Sequence, residues 1–107
     1  MSGSPGQTPV LDLLARMTAD SVEVSSLEPK EVMLVRIAAL AAVDAPAVSY
    51  AINTEAAASV GIDAETVSGI LAAVAPIVGT ARIASATRNI VQALAIELEE
   101  LDGYSPN

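Results

Sequence analysis

Runs of alanine and aliphatic residues, each ended by a short group of Pro, Gly, Asp or Thr, are the dominant feature of this sequence. Within the runs, apolar residues recur every three or four positions, as they do on one side of a helix. No segment alternates apolar and polar residues for long enough to form a strand. The pattern therefore predicts an all-α fold, a small domain of about five helices that includes the whole chain of 107 residues.

The first two predicted helices are separated by a polar segment. Residues 1–8 are predicted to be a loose N-terminus, after which Pro9 occupies the first helical position. The segment TADSVEVSS, residues 18–26, is predicted to be a connector. The second helix is predicted to run from Pro29 to about Val43.

Three further helices are predicted from their capping residues. Asp44, Asp63 and Thr80 are the expected N-caps of the third, fourth and fifth helices. Gly61 is expected to end the third helix as its C′ residue. Pro76 is expected to kink or shorten the last turn of the fourth.

The composition predicts that copies of this acidic chain associate. Hydrophobic residues make up 52% of the chain, yet it has no Phe or Trp and only two Tyr. A core of Ala, Val, Ile and Leu lets helices approach closely but buries little area per residue. With a mean hydropathy of +0.53, some apolar surface has to be covered in another way, and self-association would cover it.

Charge and missing residue types exclude several functions. The net charge of −8, with only five Lys and Arg, argues against binding to nucleic acid or to anionic membranes. The absence of Cys and His removes disulfides, thiol chemistry, ordinary zinc sites and imidazole catalysis, so no metal and no cofactor are expected. The opening MSGSPGQ lacks the features of a signal peptide, and the apolar run 69–81 is too short to span a bilayer. We therefore expect a cytoplasmic protein.

Three segments carry a resemblance to a known family. They are LEPKEVMLVRIAALAAV, INTEAAASVGIDAETV and APIVGTARIASATRNIVQAL, and their order and spacing resemble the carboxymuconolactone decarboxylase and alkylhydroperoxidase D-like family over residues 27–97. The resemblance implies a homotrimer, or a hexamer built as a trimer of dimers.

The redox branch of that family carries a Cys-x-x-Cys-x-x-x-His motif, usually with a glutamate one helix earlier. The resemblance places the two cysteines at Pro46 and Ser49 and the histidine at Asn53, and the glutamate at Met33 or Leu34. None of these redox groups is present in the chain. Thiol peroxidase activity is therefore excluded.

The decarboxylase branch needs neither cysteine nor cofactor, and resemblance to it implies a small lactone that carries a carboxylate. Such a site needs a cation for the anion and a proton donor, but residues 46–53 include no charged side chain. Arg36, Ser49, Tyr50 and Asn53 are the candidate ligand-binding residues, and the last three are also the candidate catalytic residues.

Each candidate has a structural alternative. Ser49 and Asn53 share a helix face and either line a site or bond to the backbone or a neighbouring copy. Tyr50 either donates a proton or fills a gap in the core. Arg36 either binds an anion or pairs at a subunit interface, for which Glu55 and Asp44 are the candidate partners.

Two functions remain open from the sequence. The chain is either a cofactor-independent enzyme of the lyase or isomerase type, or a binder of a small organic acid, with the candidate residues around a pocket between helices. Alternatively, it is a catalytically degenerate family member kept as an oligomeric scaffold or regulatory partner.

Overall fold

Five helices account for most of the described chain, and no strand is assigned there. A computed structural model describes residues 8–102, with side chains described up to residue 94, so the predicted loose N-terminus lies almost entirely outside the described residues. The helices are, in chain order, α1 (Pro9–Val24), α2 (Pro29–Ala42), α3 (Ala47–Ser59), α4 (Ala64–Val78) and α5 (Thr80–Asp102). The all-α prediction is confirmed.

Helix α1 is longer than predicted. Residues 18–24 are helical, so the connector predicted over residues 18–26 was wrong for most of its length. The segment contains no Gly or Pro, and the Ser21 hydroxyl donates to the Thr18 carbonyl within the helix. Polar side chains on an exposed face do not by themselves end a helix. The chain turns only at Ser25, whose backbone is extended.

Asp44 follows the end of α2. The prediction that it is the N-cap of α3 was wrong. The φ of Asp44, +56°, places it in the left-handed region, and the amides of Asp44 and Ala45 donate to the carbonyls of Ala41 and Leu40. These two bonds form a Schellman motif, in which an Asp occupies the position usually taken by Gly. Pro46 occupies the N-cap position of α3.

The junction between α3 and α4 has the predicted capping residues. Gly61, at φ +85°, follows the end of α3, and the Ile62 amide donates to the Ala57 carbonyl at 3.0 Å. The Asp63 carboxylate accepts from the Thr66 amide at 2.8 Å and from the Thr66 hydroxyl at 2.7 Å. Gly61 as C′ residue and Asp63 as N-cap are thus confirmed.

The junction between α4 and α5 differs from the prediction by one residue. Helix α4 continues through Pro76 and ends two residues later, at Val78. Thr80 is the first residue of α5 and not its cap. The carbonyl of Gly79 accepts from the Ile83 amide at 3.0 Å, so Gly79 begins the hydrogen-bonding pattern of the last helix.

The core is formed by α2, α3, α4 and α5 and consists largely of small side chains. One buried cluster joins Tyr50 to Ala41, Ala45, Ala86 and Ala93. A second cluster consists of Met33, Ile37, Ala57 and Ile62. Alanine allows close helix approach, especially between α3 and α5, which share the most extensive packing. Each alanine buries little apolar area, so this core contributes less stability per residue than one built from leucine or phenylalanine.

Helix α1 lies apart from this core. It has no buried residue, and extensive helix packing in the described chain involves only α2–α5. The radius of gyration is 15.4 Å, against about 13 Å for a compact domain of this length. The side chains of α1 therefore remain largely exposed in the single chain.

Within residues 8–102 no single helix is long and apolar enough to cross a membrane, and α3 and α4, which meet at a bend of 119°, reach that length and composition only as a pair.

Candidate functional site

A cavity of about 480 Å³ lies between α2, α3, α4 and α5. Most of its wall is apolar, with Ile37 and Leu40 on α2, Leu71 on α4 and Ile90 on α5. The polar residues at the wall are Tyr50, Asn53, Thr54, Asp63, Ser68 and Thr87. No Lys or Arg among the described residues lines the cavity. A volume of this size is within the usual range for sites that bind small molecules.

Tyr50 is the most enclosed polar residue of the cavity wall. Its side chain is only 5% exposed, and its buried hydroxyl has no hydrogen-bond partner among the described residues. Burial raises the pKa of the phenol, and the negative charge of Asp44 raises it further. The hydroxyl is therefore protonated at neutral pH and can donate a hydrogen bond.

The other polar groups of α3 bond mainly to their own helix. The Asn53 side-chain amide donates to the Ser49 carbonyl at 2.8 Å, and the Thr54 hydroxyl donates to the Tyr50 carbonyl at 2.9 Å. Asn53 is half-buried and lines the cavity. Ser49 is half-buried as well but does not line the cavity. Of the three candidate residues on α3, the structure thus brings Tyr50 and Asn53 together at one wall.

Arg36 lies away from the cavity and bonds to α1. Its guanidinium donates to the Thr18 carbonyl at 2.9 Å and also to the Ser21 hydroxyl. The side chain is half-buried, and it is not part of the cavity wall. Within the chain, Arg36 connects the C-terminal half of α1 to α2. Pairing with Glu55 or Asp44 of another copy stays a prediction.

A polar cluster next to Tyr50 joins α5 to the turn between α2 and α3. The Ser85 hydroxyl donates to Asp44 Oδ1 at 2.6 Å, and the Asn89 amide donates to the Ser85 hydroxyl at 3.3 Å. One helical turn earlier, the Arg82 guanidinium donates to the Ala42 carbonyl at 2.6 Å. These bonds fix the end of α5 that packs beside Tyr50, and they keep the Asp44 charge near its phenol.

Sequence reasoning missed the polar wall residues outside α3. Asp63, Ser68 and Thr87 line the cavity, and only the position of Thr87 could have been anticipated. Thr87 belongs to the series of residues on one face of α5 that recur at three- or four-residue spacing. Within the described residues, no group of three carboxylates comes together that could hold a metal ion.

Comparison with known proteins identifies the family. The model of the carboxymuconolactone decarboxylase family matches residues 8–93, which includes α1 and extends further towards the N-terminus than the resemblance over residues 27–97. No curated protein and no solved structure is significantly similar to the chain. A family match over more than half of the sequence, together with the all-α fold, leads to one conclusion: the chain belongs to the carboxymuconolactone decarboxylase family.

Proposed function

We propose that this protein is an oligomeric member of its family that binds a small, neutral and mainly apolar molecule in the cavity between α2 and α5. The observation that carries the proposal is the buried Tyr50 hydroxyl, which has no partner among the described residues although it belongs to a residue of the cavity wall. Buried polar groups are nearly always hydrogen-bonded, so an unpaired one needs an explanation. A ligand acceptor atom would supply the missing partner.

The composition of the wall supports a neutral ligand over the small organic acid expected from the sequence. The wall carries one carboxylate, Asp63, and no cation among its described residues. An anion that entered this cavity would lose its hydration without gaining a counter-charge, which is costly. A molecule such as a lactone or ketone instead offers an apolar body and a carbonyl oxygen. Tyr50 would donate to that oxygen, and Asn53 could accept from or donate to a second polar group.

A reaction at this cavity would depend on Tyr50 as the acid. The raised pKa of the phenol makes it a weak proton donor, but a phenol that hydrogen-bonds a carbonyl oxygen stabilises the negative charge that develops on an enolate. This chemistry belongs to cofactor-independent lyases and isomerases, the enzyme class considered from the sequence. Thiol peroxidase chemistry has no place in the proposal because the chain contains no cysteine.

The test compares a neutral probe with an anion of the same carbon number. We expect γ-nonalactone to raise the melting temperature and to bind in calorimetry, and nonanoate to have little effect. Replacing Tyr50→Phe should weaken lactone binding about five- to tenfold, since a hydrogen bond contributes roughly 1 kcal/mol net. The control is Ser59→Ala, which removes an exposed hydroxyl that bonds within α3. Equal binding by wild type and Tyr50→Phe would refute the proposed role of Tyr50, and tighter binding of nonanoate would refute the neutral ligand class.

The same variant tests the unpaired hydroxyl without any ligand. Because a buried hydroxyl without a partner costs about 1–3 kcal/mol, Tyr50→Phe should raise the free energy of unfolding by about 1 kcal/mol. Urea denaturation measures this difference. A loss of stability would mean that the hydroxyl has a partner in the folded protein.

An oligomeric scaffold or regulatory protein is the second candidate function. It is favoured by exposed apolar residues that do not line the cavity, such as Val48 and Ile52 on α3, at 55% and 70% exposure. A chain that assembles with itself and binds neither probe would support this alternative.

A further inference from the structure

Helix α1 carries an apolar stripe that its own chain does not cover. Val10, Leu13, Leu14 and Met17 follow one another at positions i, i+3, i+4 and i+7, and each is between 48% and 67% exposed. Side chains at this spacing lie on one side of a helix. It is also the spacing at which a helix anchors itself in an apolar groove.

The cavity between α2 and α5 is open along a groove whose walls are apolar, like the stripe on α1. Val91 and Leu94 of α5 belong to its wall, yet they are 62% and 47% exposed. Leu71 and Val67 of α4 also line it and are half-buried. An apolar groove with such exposed sides resembles the receiving half of a helix-in-groove contact.

The charged residues beside the two surfaces include one favourable pair. On α1, Asp20 is the charged residue nearest to the stripe on a helical projection, and the flank beyond it carries Arg16 among more numerous acidic residues. On α5, Arg88 is exposed and lies one turn before Val91, while Asp63 is the one charged residue among the described residues of the groove wall. A contact that places Asp20 beside Arg88 and Arg16 towards Asp63 would pair opposite charges.

We propose that α1 of a second copy of this chain lies in the groove and closes the cavity. The chain's own α1 contributes no residue to the cavity wall, and its C-terminal half is bonded to Arg36 of α2. If two copies exchange these helices, each groove receives one stripe, which gives a symmetric contact. Pairing of α1 with α1 would instead leave Val91 and Leu94 uncovered. The contact between stripe and groove does not depend on the proposed ligand, whereas the closure of a ligand site does.

The chain contains no cysteine, so introduced cysteines are the only thiols in a cross-linking experiment. A tagged Met17→Cys chain is mixed with an untagged Leu94→Cys chain under mild oxidation, without any ligand. We expect a disulfide between the two copies, because docking holds the thiols at millimolar effective concentration. The yield should exceed by about tenfold that of a control pair in which Ile77→Cys replaces Leu94→Cys. Ile77 is 89% exposed and does not line the cavity.

Two outcomes would overturn the proposal. One is efficient cross-linking of Met17→Cys chains to each other with none to Leu94→Cys, which would mean that α1 pairs with α1. The other is equal cross-linking to Ile77→Cys and Leu94→Cys, which would mean non-specific contact. If a variant fails to fold by circular dichroism, Leu13→Cys with Val91→Cys replaces the first pair. Because no ligand is present, a negative result concerns the docking alone, and the lactone experiment tests the ligand function separately.

Discussion

Asp44 combines a strained backbone with a contact between helices, and the two contributions can be separated by substitution. A φ of +56° is energetically unfavourable for most residues, but Asp and Asn tolerate the left-handed region better than others. We expect Asp44→Asn to retain stability, since it keeps this tolerance and an acceptor for the Ser85 hydroxyl. Asp44→Ala should lower the free energy of unfolding by about 1–2 kcal/mol.

Ser85→Ala is the matched variant for this prediction, because it removes the hydrogen bond to Asp44, together with the longer one from Asn89, and leaves the backbone of Asp44 as it is. Urea denaturation should show a loss of about 0.5–1 kcal/mol for Ser85→Ala, smaller than the loss for Asp44→Ala. Equal losses for the two variants would mean that the left-handed conformation contributes no strain.

Among single residues, the cap at Asp63 was predictable from the sequence and the role of Arg36 was not. The Asp63 side chain bonds to Thr66, three residues away, and such local contacts are encoded in the order of residues. Arg36 bonds to residues 15 and 18 positions away, so its partners depend on how two helices lie relative to each other. The burial of the unpaired Tyr50 hydroxyl depends in the same way on how α3 packs against α5.

At the scale of one helix, the start of α4 should be sensitive to acid. Hydrogen bonds from the Thr66 hydroxyl and amide hold the pKa of the Asp63 carboxyl below its usual value. A carboxyl whose pKa is lowered in the folded state stabilises the protein above its unfolded pKa, about 4, and this contribution is lost as the pH falls through the lower, folded value. Asp63→Asn retains an acceptor for the cap and does not titrate.

The measurement is the free energy of unfolding as a function of pH for wild type and Asp63→Asn. We expect the advantage of wild type to shrink as the pH decreases below about 4. Asp63→Ala should be less stable than both at neutral pH because α4 loses its cap. A pH-independent difference between wild type and Asp63→Asn would contradict the assignment.

Replacement of Arg36 should affect the stability of α1 more than ligand binding in the cavity between α2 and α5. Arg36→Met keeps much of the apolar stem and removes both hydrogen bonds to α1. We expect faster hydrogen exchange at residues 18–24 and unchanged lactone binding, since Arg36 does not line the cavity. Loss of binding in a variant with intact α2–α5 would instead place Arg36 at the ligand, as the sequence hypothesis had it.

The helices themselves were predictable because caps and apolar periodicity are local signals. The errors occurred where a tertiary contact decided the outcome. Residues 18–24 are polar enough to suggest a loop, yet they continue α1, and two of them accept hydrogen bonds from Arg36. Asp44 looked like a helix start, but its carboxylate is bound by Ser85, 41 residues later. The cavity wall also draws on α4 and α5, and no pattern in α3 could have indicated those residues.

For the whole molecule, we expect association. Exposed apolar side chains occur on every helix described, from Leu11 on α1 to Ile77 on α4 and Val91 on α5. Burying such residues between copies is favourable by about 25 cal/mol per Å². Light scattering at micromolar concentration should give three or six times the chain mass of 10.8 kDa, as the family resemblance implies. A stable particle of one chain mass would contradict this.

The sparse packing of α1 in the single chain would make the lifetime of this protein depend on its concentration. A helix of 16 residues that has no buried side chain and is held mainly by Arg36 is only marginally stable in water. In dilute solution its backbone would open often, and Arg16, in the middle of the helix, would become a cleavage site for trypsin-like proteases. Copies that find a partner would be protected, and unassembled copies would be cleaved. The helix proposed to mediate assembly would then also act as a degradation signal for chains left unassembled.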